Sequence, residues 1–224
     1  MQLWVSKLNK NKWKIALIIL SVALVTSCIF GFTSAWFNKV EQAKANVGMD
    51  VKYVDIFADG DGETNQLIPA KYYTIEKTPK VLVGETSGTY CVFIKIKETG
   101  GDVSKAGYLE NYIKYAVVSG WNELSDEQAK EFGFKTEERA KYYYQNITAN
   151  GQAPLDVFDY VHDKDQFQAN PQLTLAQVEA ANGTGKEVKL SLVAAGCRTA
   201  VEAGSGDLPT AEEVALAEVY TAFF

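Results

Sequence analysis

The longest apolar stretch of the chain runs from Ile15 to Phe37 and contains no charged residue. The first acidic residue after it is Glu41, and the residues before it are basic: Lys7, Lys10, Lys12 and Lys14. A core helix of a soluble domain would show a polar face, which this stretch lacks. The pattern therefore predicts a hydrophobic N-terminal helix with a basic flank, as in an export signal or a membrane anchor.

Three interpretations of this helix are open. Thr33-Ser34-Ala35 satisfies the small-x-small rule of a signal exit, which predicts cleavage between Ala35 and Trp36 and makes residues 1–35 a removable leader. A run of about 20 apolar residues is also long enough to stay in the bilayer as an anchor over residues 15–37. Thirdly, small residues precede Cys28, as before a lipidated cysteine. Each interpretation places the remaining chain outside the cytoplasm.

Residues 36–48 form a connector between this helix and the rest of the chain. Val40 to Ala45 contains good helix formers, and Gly48 is a natural stop. The connector is therefore expected to be helical in a monomer, or extended if it meets the edge of a sheet. The sequence leaves both open.

From residue 49 onward the pattern changes to the alternation of half-buried β-strands. The clearest strand lies between Gly88 and Gly100, with Tyr90, Val92, Ile94 and Ile96 on one face and Cys91, Phe93, Lys95 and Lys97 on the other. Lys186 to Gly196 has the same character, with Val188, Leu190, Leu192 and Ala194 on one face and Cys197 in line with the other. Further strands are predicted at 49–57, 71–75, 80–83, 111–118, 141–147 and 157–161.

Three capping boxes predict short helices after Ser125, Thr174 and Thr210. The last of these helices carries an apolar stripe made of Val214, Ala217, Tyr220 and Phe224. Many short strands with turn signals and a few short helices are typical of an antiparallel β-sandwich. We therefore expect a single mainly β domain over residues 49–224.

Charge and cysteine content agree with an exported domain. The whole chain has a net charge of −6, but without residues 1–35 it has 18 Lys and Arg against 28 Asp and Glu, a net of −10. So acidic a domain is not suited to bind nucleic acid or anionic lipid. Outside the apolar stretch the cysteines are Cys91 and Cys197, an even pair that is a candidate disulfide in an oxidising compartment. Two unpaired thiols are the alternative.

The sequence predicts no catalytic, metal or cofactor site, and so no enzyme. His162 is the one histidine, so a zinc cluster cannot be assembled, and a histidine-based triad would have to use His162, which stands in an acidic run typical of a solvated loop. Asp59, Asp61 and Glu63 imitate the start of a calcium loop but lack its sixth-position glycine and its twelfth-position acid. Scattered carboxylates leave an acid-pair hydrolase as a minor hypothesis. Asn146 and Asn182 each begin a glycosylation sequon.

Several stretches resemble the TasA and camelysin-like proteins that Gram-positive bacteria export. The stretches are Thr33 to Asn38, Thr78 to Val83, Tyr90 to Lys97, Gly120 to Leu124 and Tyr142 to Tyr144. They cover most of the exported part by pattern rather than by a strict motif. In that family a dedicated signal peptidase cuts a similar junction. The capped helices near 125–132 and 174–182 depart from the shorter members of the family.

The resemblance implies a jelly-roll-like β-sandwich at the cell surface or in a biofilm matrix. It also implies self-assembly into fibres, in which the freed N-terminal segment of one subunit completes a sheet of the next. The candidate donor-strand residues are Phe37, Val40, Ala43, Ala45 and Val47. The partners implied are further copies of this chain, other surface or matrix proteins, and signal peptidase on the precursor. Camelysin-like proteins have been labelled metallopeptidases, a label that one histidine does not support.

A second function class is a membrane-tethered extracellular module that keeps its N-terminal helix and binds a carbohydrate or a protein. Its binding surface would lie around Trp121 and the tyrosines from Tyr142 to Tyr144. Aromatic clusters of this kind are more often core than binding platform. The native N-terminus distinguishes this class from a freed structural subunit, because a chain that begins near Trp36 has no tether.

Overall fold

A computed structural model describes residues 20–22, 26, 42–58, 67–74, 78–85, 87–100, 112–135, 137, 139–149, 154–159, 166–181 and 187–223. The chain divides into two units, Met1–Gln42 and Ala43–Phe224. In the first unit, residues 20–22, 26 and 42 are helical. No helix within the described ranges is long and apolar enough to cross a membrane.

The second unit is mainly β, as the alternation predicts. Its described strands are β1 (Val47–Met49), β2 (Tyr53–Ala58), β3 (Tyr72–Thr74), β4 (Lys80–Val83), β5 (Gly88–Gly100), β6 (Ile113–Lys114), β7 (Ala116–Val117), β8 (Asn122–Glu123), β9 (Ala140–Ala149), β10 (Leu155–Asp156), β11 (Phe158–Asp159), β12 (Gln166–Ala169) and β13 (Glu187–Arg198). The helices are α1 (Asp126–Glu131), α2 (Leu175–Ala181), α3 (Ala211–Leu216) and a C-terminal 3-10 helix (Val219–Phe223).

The largest sheet has five antiparallel strands in the order β2-β13-β5-β9-β8. Its centre is the pairing of the two longest strands, in register from Val188↔Gly100 to Arg198↔Tyr90. These are the two strands with the clearest alternation in the sequence. Long strands make many cross-strand pairs, so this pairing is the backbone of the domain.

The remaining strands form three short sheets, β1-β4-β10, β11-β7 and β3-β12-β6, all antiparallel. Residue 157 alone separates β10 from β11, and residue 115 alone separates β6 from β7. A backbone hydrogen bond from Val118 N to Val157 O (3.0 Å) joins the part of the chain with β6 and β7 to the part with β10 and β11. The short strands therefore follow one another as pieces of a second, broken layer.

The first hydrophobic core lies between the five-stranded sheet and this second layer. It contains the predicted inward faces of β5 and β13 together with residues of the short strands, including Val81, Ile113, Phe158 and Phe167. The expected sandwich-like, mainly β architecture is thus confirmed. Phe158 and Phe167 meet edge to face, with ring centroids 5.0 Å apart, an arrangement that aromatic pairs favour.

A second core covers the opposite face of the five-stranded sheet. Here Phe93 packs edge to face on Phe132 and Phe134, with centroids 5.8 and 5.4 Å away. Val214 of α3 and Phe223 of the 3-10 helix complete the cluster. Short helices therefore shield the face of the sheet that the sequence marked as the less apolar one.

The predicted capping boxes are all present. Ser125 and Gln128 cap α1 reciprocally, and Thr210 and Glu213 do the same for α3. At α2, Thr174 N donates to Gln177 Oε1 (2.8 Å) and Gln177 N to Thr174 Oγ1 (3.3 Å). Each box satisfies backbone N–H groups that the first turn of a helix leaves without partners.

Two predicted elements are wrong in detail. The single strand expected over 49–57 is two strands in different sheets, because the chain turns at Asp50. Asp50 N donates to Lys80 O (3.1 Å), and Asp50 Oδ1 accepts from Lys80 N (2.7 Å). Tyr53, at the start of the second of these strands, is 57% exposed. The apolar stripe predicted for the last helix also differs. The chain leaves the α-helical conformation at Glu218 (φ +52°), and the 3-10 helix that follows buries Val219 and Phe223. Phe224 lies outside the described residues.

Glu98 carries a carboxylate into the first core, at 3% exposure. It forms an ion pair with Arg139 and accepts the backbone N–H groups of Tyr112 (2.7 Å) and Ile113 (3.1 Å). Burial raises the pKa of Glu98, against the lowering effect of Arg139 and of these bonds. The carboxylate therefore ties the entry of β6 to the ends of β5 and β9.

Replacing Glu98 by Gln takes the carboxylate away from a buried guanidinium. We expect Glu98→Gln to lower the free energy of unfolding by about 3–5 kcal/mol in urea denaturation. The matched control is Glu123→Gln, whose ion pair with Lys141 (2.9 Å) is about half exposed and is expected to contribute less than about 1 kcal/mol. Equal losses in the two variants would contradict this account of Glu98.

Candidate functional site

Residues 43–49, here called the N-terminal segment, lie along the edge of the five-stranded sheet. Ala45 N donates to Gly196 O (3.2 Å), and Lys44 forms an antiparallel bridge with Cys197. On this side of β13, β2 pairs only with residues 187–191. The segment therefore takes the edge position beside the last residues of β13 that β2 does not reach.

The segment then crosses to the second layer. Asn46 N donates to Glu85 Oε1 (2.7 Å), Gly84 N donates to Asn46 O (2.8 Å), and β1 pairs with β4 from Val47↔Val83 to Met49↔Val81. Within four residues the backbone has bonded to both layers. It thus closes one side of the sandwich. Within the described part of the connector, residues 42 and 43 are helical and residues 44–48 are extended.

The apolar side chains of the segment pack on both cores. Residue 43 is helical and Ala43 contacts the second core, whereas Ala45, Val47 and Met49 pack against the first core. Residues two apart in an extended chain share one face, and each apolar residue removed from water contributes to holding the segment in place. The exposed pair Lys44–Glu218, about half accessible on both sides, adds little.

The acceptor of the segment is Gly196, which the sequence pattern did not single out. A Cβ on this glycine would lie 2.8 Å from Val47 Cγ2, 3.2 Å from Ala45 Cβ and 3.2 Å from Cys91 O. Only a residue without a side chain lets the segment approach so closely. A glycine inside an otherwise apolar strand is the signal that indicates such an approach.

The structure describes three of the five candidate donor residues, Ala43, Ala45 and Val47, and places them against their own domain. Phe37, Val40 and the cleavage residues Ala35 and Trp36 lie outside the described residues, as do Cys28, His162, Asn182 and the acidic turn with Asp59, Asp61 and Glu63. No metal-binding group of His, Cys, Asp and Glu occurs among the residues that are described.

Cys91 and Cys197 are directly opposite each other on β5 and β13 and are free thiols in the structure. Both are fully buried in the second core. Burial raises the pKa of the Cys91 thiol and raises that of Cys197 to about 12. Protonated, buried thiols are poor nucleophiles, so the pair does not form a catalytic cysteine site in this state.

The aromatic residues proposed for a binding surface belong to the two cores. Tyr142, Tyr143, Tyr144 and Trp121 are each at most 9% exposed. Trp121 Nε1 donates to Asp156 O (3.0 Å), and Tyr142 OH donates to Lys135 O (2.7 Å). These aromatic residues therefore stabilise the fold and present almost no surface to a ligand.

The sequon at Asn146 is also inside the fold. Asn146 is 2% exposed, and its Nδ2 donates to Ser205 O (3.0 Å) and Asp207 O (2.8 Å). Its side chain ties the loop after β13 to β9. A glycan on this amide would require that loop to be displaced.

Comparison of the chain with protein-family models, with curated proteins and with solved structures found no match. The candidate site is therefore defined by its geometry alone, an extended N-terminal segment seated on the edge of β13 and on β4, with Gly196 against Ala45 and Val47.

Gly196→Ala tests how the segment is seated. The added methyl group overlaps Val47 and Ala45, so we expect a loss of about 1–3 kcal/mol in unfolding free energy from overpacking. Protease cleavage within residues 43–49 should become faster, because the displaced segment opens. Gly48→Ala is the control, since a Cβ at Gly48 meets no atom within 4 Å. Equal cleavage rates in the two variants would show that the segment is not held at Gly196.

Because its tyrosines are buried, we expect the folded domain to lose stability at alkaline pH. Burial raises the pKa of Tyr142 from its ordinary 10.0 to about 12. The folding stability that Tyr142 contributes is fully present below pH 10, where the folded and the unfolded chain both hold the proton. It is lost as the pH rises through the folded pKa, because the tyrosine of the unfolded chain ionises first. The loss amounts to about 2–3 kcal/mol for Tyr142 alone.

Urea denaturation across this pH range measures the effect. Tyr142→Phe lacks the ionising hydroxyl, so its stability should fall less steeply above pH 10 than that of the unchanged chain. The slope, rather than the absolute stability, is the relevant quantity, because the variant also loses the bond to Lys135 O. Parallel slopes would refute the assignment to Tyr142.

Proposed function

We propose that the chain is a non-enzymatic structural protein of the cell surface or extracellular matrix that assembles with copies of itself through residues 36–47. One observation carries the proposal: the last part of this segment already occupies the edge of β13, where Ala45 N donates to Gly196 O (3.2 Å). The same edge can accept the equivalent segment of a second copy, since backbone hydrogen bonds at a sheet edge do not depend on which chain supplies the strand.

The strand order supports a jelly-roll form of the sandwich. In the five-stranded sheet β13 lies between β2 and β5, and in the second layer β12 lies between β3 and β6. Strands close to the end of the chain are thus inserted between strands close to its beginning in both layers. This interleaving is the arrangement that wraps an antiparallel ribbon into a jelly roll.

The proposal places the leader in control of assembly. While residues 1–35 are attached, the basic flank and the apolar helix hold residues 36–47 at the membrane. Cleavage between Ala35 and Trp36 frees the segment to leave its own edge and pair with another copy. The mature domain, with its net charge of −10, is then a soluble extracellular subunit that meets other matrix proteins.

Electron microscopy of the chain that begins at Trp36 tests the assembly. We expect fibres from the unchanged chain and from Gly48→Ala, and few or none from Ala45→Pro, because proline has no N–H to donate to Gly196 O. Circular dichroism must show that all three chains are folded. Equal fibres from Ala45→Pro, or no fibres from the unchanged chain, would refute strand exchange through this segment.

The native N-terminus gives a separate readout. Mass spectrometry of the protein recovered from its host should find a chain that begins at Trp36. A chain that still carries residues 1–35 would refute release by cleavage and would favour the tethered module, although Trp121 and Tyr142 are largely inaccessible to a ligand.

A further inference from the structure

The register of the central strand pair brings two chemically reactive residues together. Cys91 and Cys197 are direct partners across β5 and β13, and both side chains lie in the second core. They are 106 positions apart in the sequence. Two cysteines that are so distant along the chain do not meet in a sheet through local structure, so the fold itself makes the contact.

The ladder also shows which kind of pair they form. Thr199 N donates to Thr89 O (3.1 Å), two positions further along the same register. Hydrogen-bonded and non-hydrogen-bonded pairs alternate along antiparallel strands, so Cys91 and Cys197 belong to a hydrogen-bonded pair with a Cα separation of about 5.5 Å. Disulfides span Cα separations of about 4.4–6.8 Å, so the Cα spacing fits; the Cβ atoms, about 5.5 Å apart in a hydrogen-bonded pair, must approach to about 4.5 Å for the bond to form.

The side chains of Cys91 and Cys197 lie on the same face of the sheet, in the second core. Neither thiol is exposed to solvent. The two side chains therefore share one closed space between the sheet and the helical layer formed by α3 and the 3-10 helix.

We propose that Cys91 and Cys197 are joined by a cross-strand disulfide in the exported protein. In forming it the two thiols lose two protons and two electrons, and an S–S bond replaces two S–H bonds. The electrons pass by thiol–disulfide exchange to a disulfide-carrying oxidant, either a small-molecule disulfide or an oxidoreductase, which leaves as two thiols. This bond does not depend on the proposed assembly.

Burial dictates when the bond forms. Exchange requires access of the oxidant to a sulfur atom, and both sulfurs are covered once α3 and the 3-10 helix pack on the sheet. The bond must therefore form while the chain is folding, after β5 and β13 have met and before the helical layer closes. A folded, reduced chain should oxidise slowly.

The bond would also fix the acceptor edge. Cys197 is the bridge partner of Lys44, and the neighbouring Gly196 accepts Ala45 N. A disulfide to β5 holds this end of β13 in place whether or not the N-terminal segment is seated. The sheet edge can then lose and regain the segment without local unfolding of β13.

Peptide mapping of the full-length chain in mild detergent tests the proposal. The chain is refolded from urea with reduced glutathione and glutathione disulfide, alkylated, and digested with trypsin without reduction. Cleavage places Cys91 in residues 81–95, Cys197 in residues 190–198 and Cys28 in residues 15–39. We expect peptides 81–95 and 190–198 to be linked and the Cys28 peptide to be alkylated. Alkylation of both Cys91 and Cys197, or their linkage to Cys28, would overturn the proposal.

Thermal denaturation gives a second readout. Reductant should lower the midpoint of the unchanged chain by roughly 5–15 °C and should have the same effect on the control Cys28→Ser. It should leave the double variant C91A/C197A unaffected. If the double variant fails to fold, the comparison of the unchanged chain with Cys28→Ser still decides the outcome. A midpoint that does not respond to reductant in either of these chains would overturn the proposal.

Discussion

The pairing of β5 with β13 is the interaction on which the other elements depend. Its inward faces supply much of the first core, and its opposite faces carry Cys91, Phe93 and Cys197 into the second core. The pair is covered on one side by the short strands and on the other by short helices. Elements of two to six residues are rarely stable alone in water, so the long pair must hold them through side-chain packing.

Dependence on this pair explains which parts of the fold could be predicted from the sequence. The faces of β5 and β13 follow from alternation over more than ten residues, and the capping boxes follow from local hydrogen bonding. By contrast, β8 and β12 were missed because strands of two and four residues contain too few positions to show a period. Tertiary contacts, such as that between Asp50 and Lys80, decide where such strands begin and end.

The candidate site could likewise be predicted only in part from the sequence. Its candidate donor residues Ala43, Ala45 and Val47 could be selected through a family resemblance; Ala45 lies on the edge of β13 and Val47 lies in β1, whereas residue 43 is helical. Gly196 and Glu85 could not be selected, because nothing in the local sequence says that a segment distant along the chain, 39 residues away in the case of Glu85, will pack there. The glycine did carry a signal, since a strand interior without a side chain gains nothing from packing unless another backbone comes close.

The end of β13 combines two requirements that oppose each other. A sheet edge that exchanges strands must release the segment bound to it, which favours few contacts. If the edge unfolded on release, however, a second copy would find no strand to bind. At β13 itself the exposed Lys44–Glu218 pair and the bond from Ala45 N to Gly196 O each add little, whereas apolar packing and the pairing of β1 with β4 hold the rest of the segment. The edge strand β13 is held in place by β5, which remains bonded along the full length of β13 from the other side. The segment thus meets β13 through few polar contacts, on a strand that β5 fixes from the other side, which is the arrangement that the proposed exchange of the edge requires.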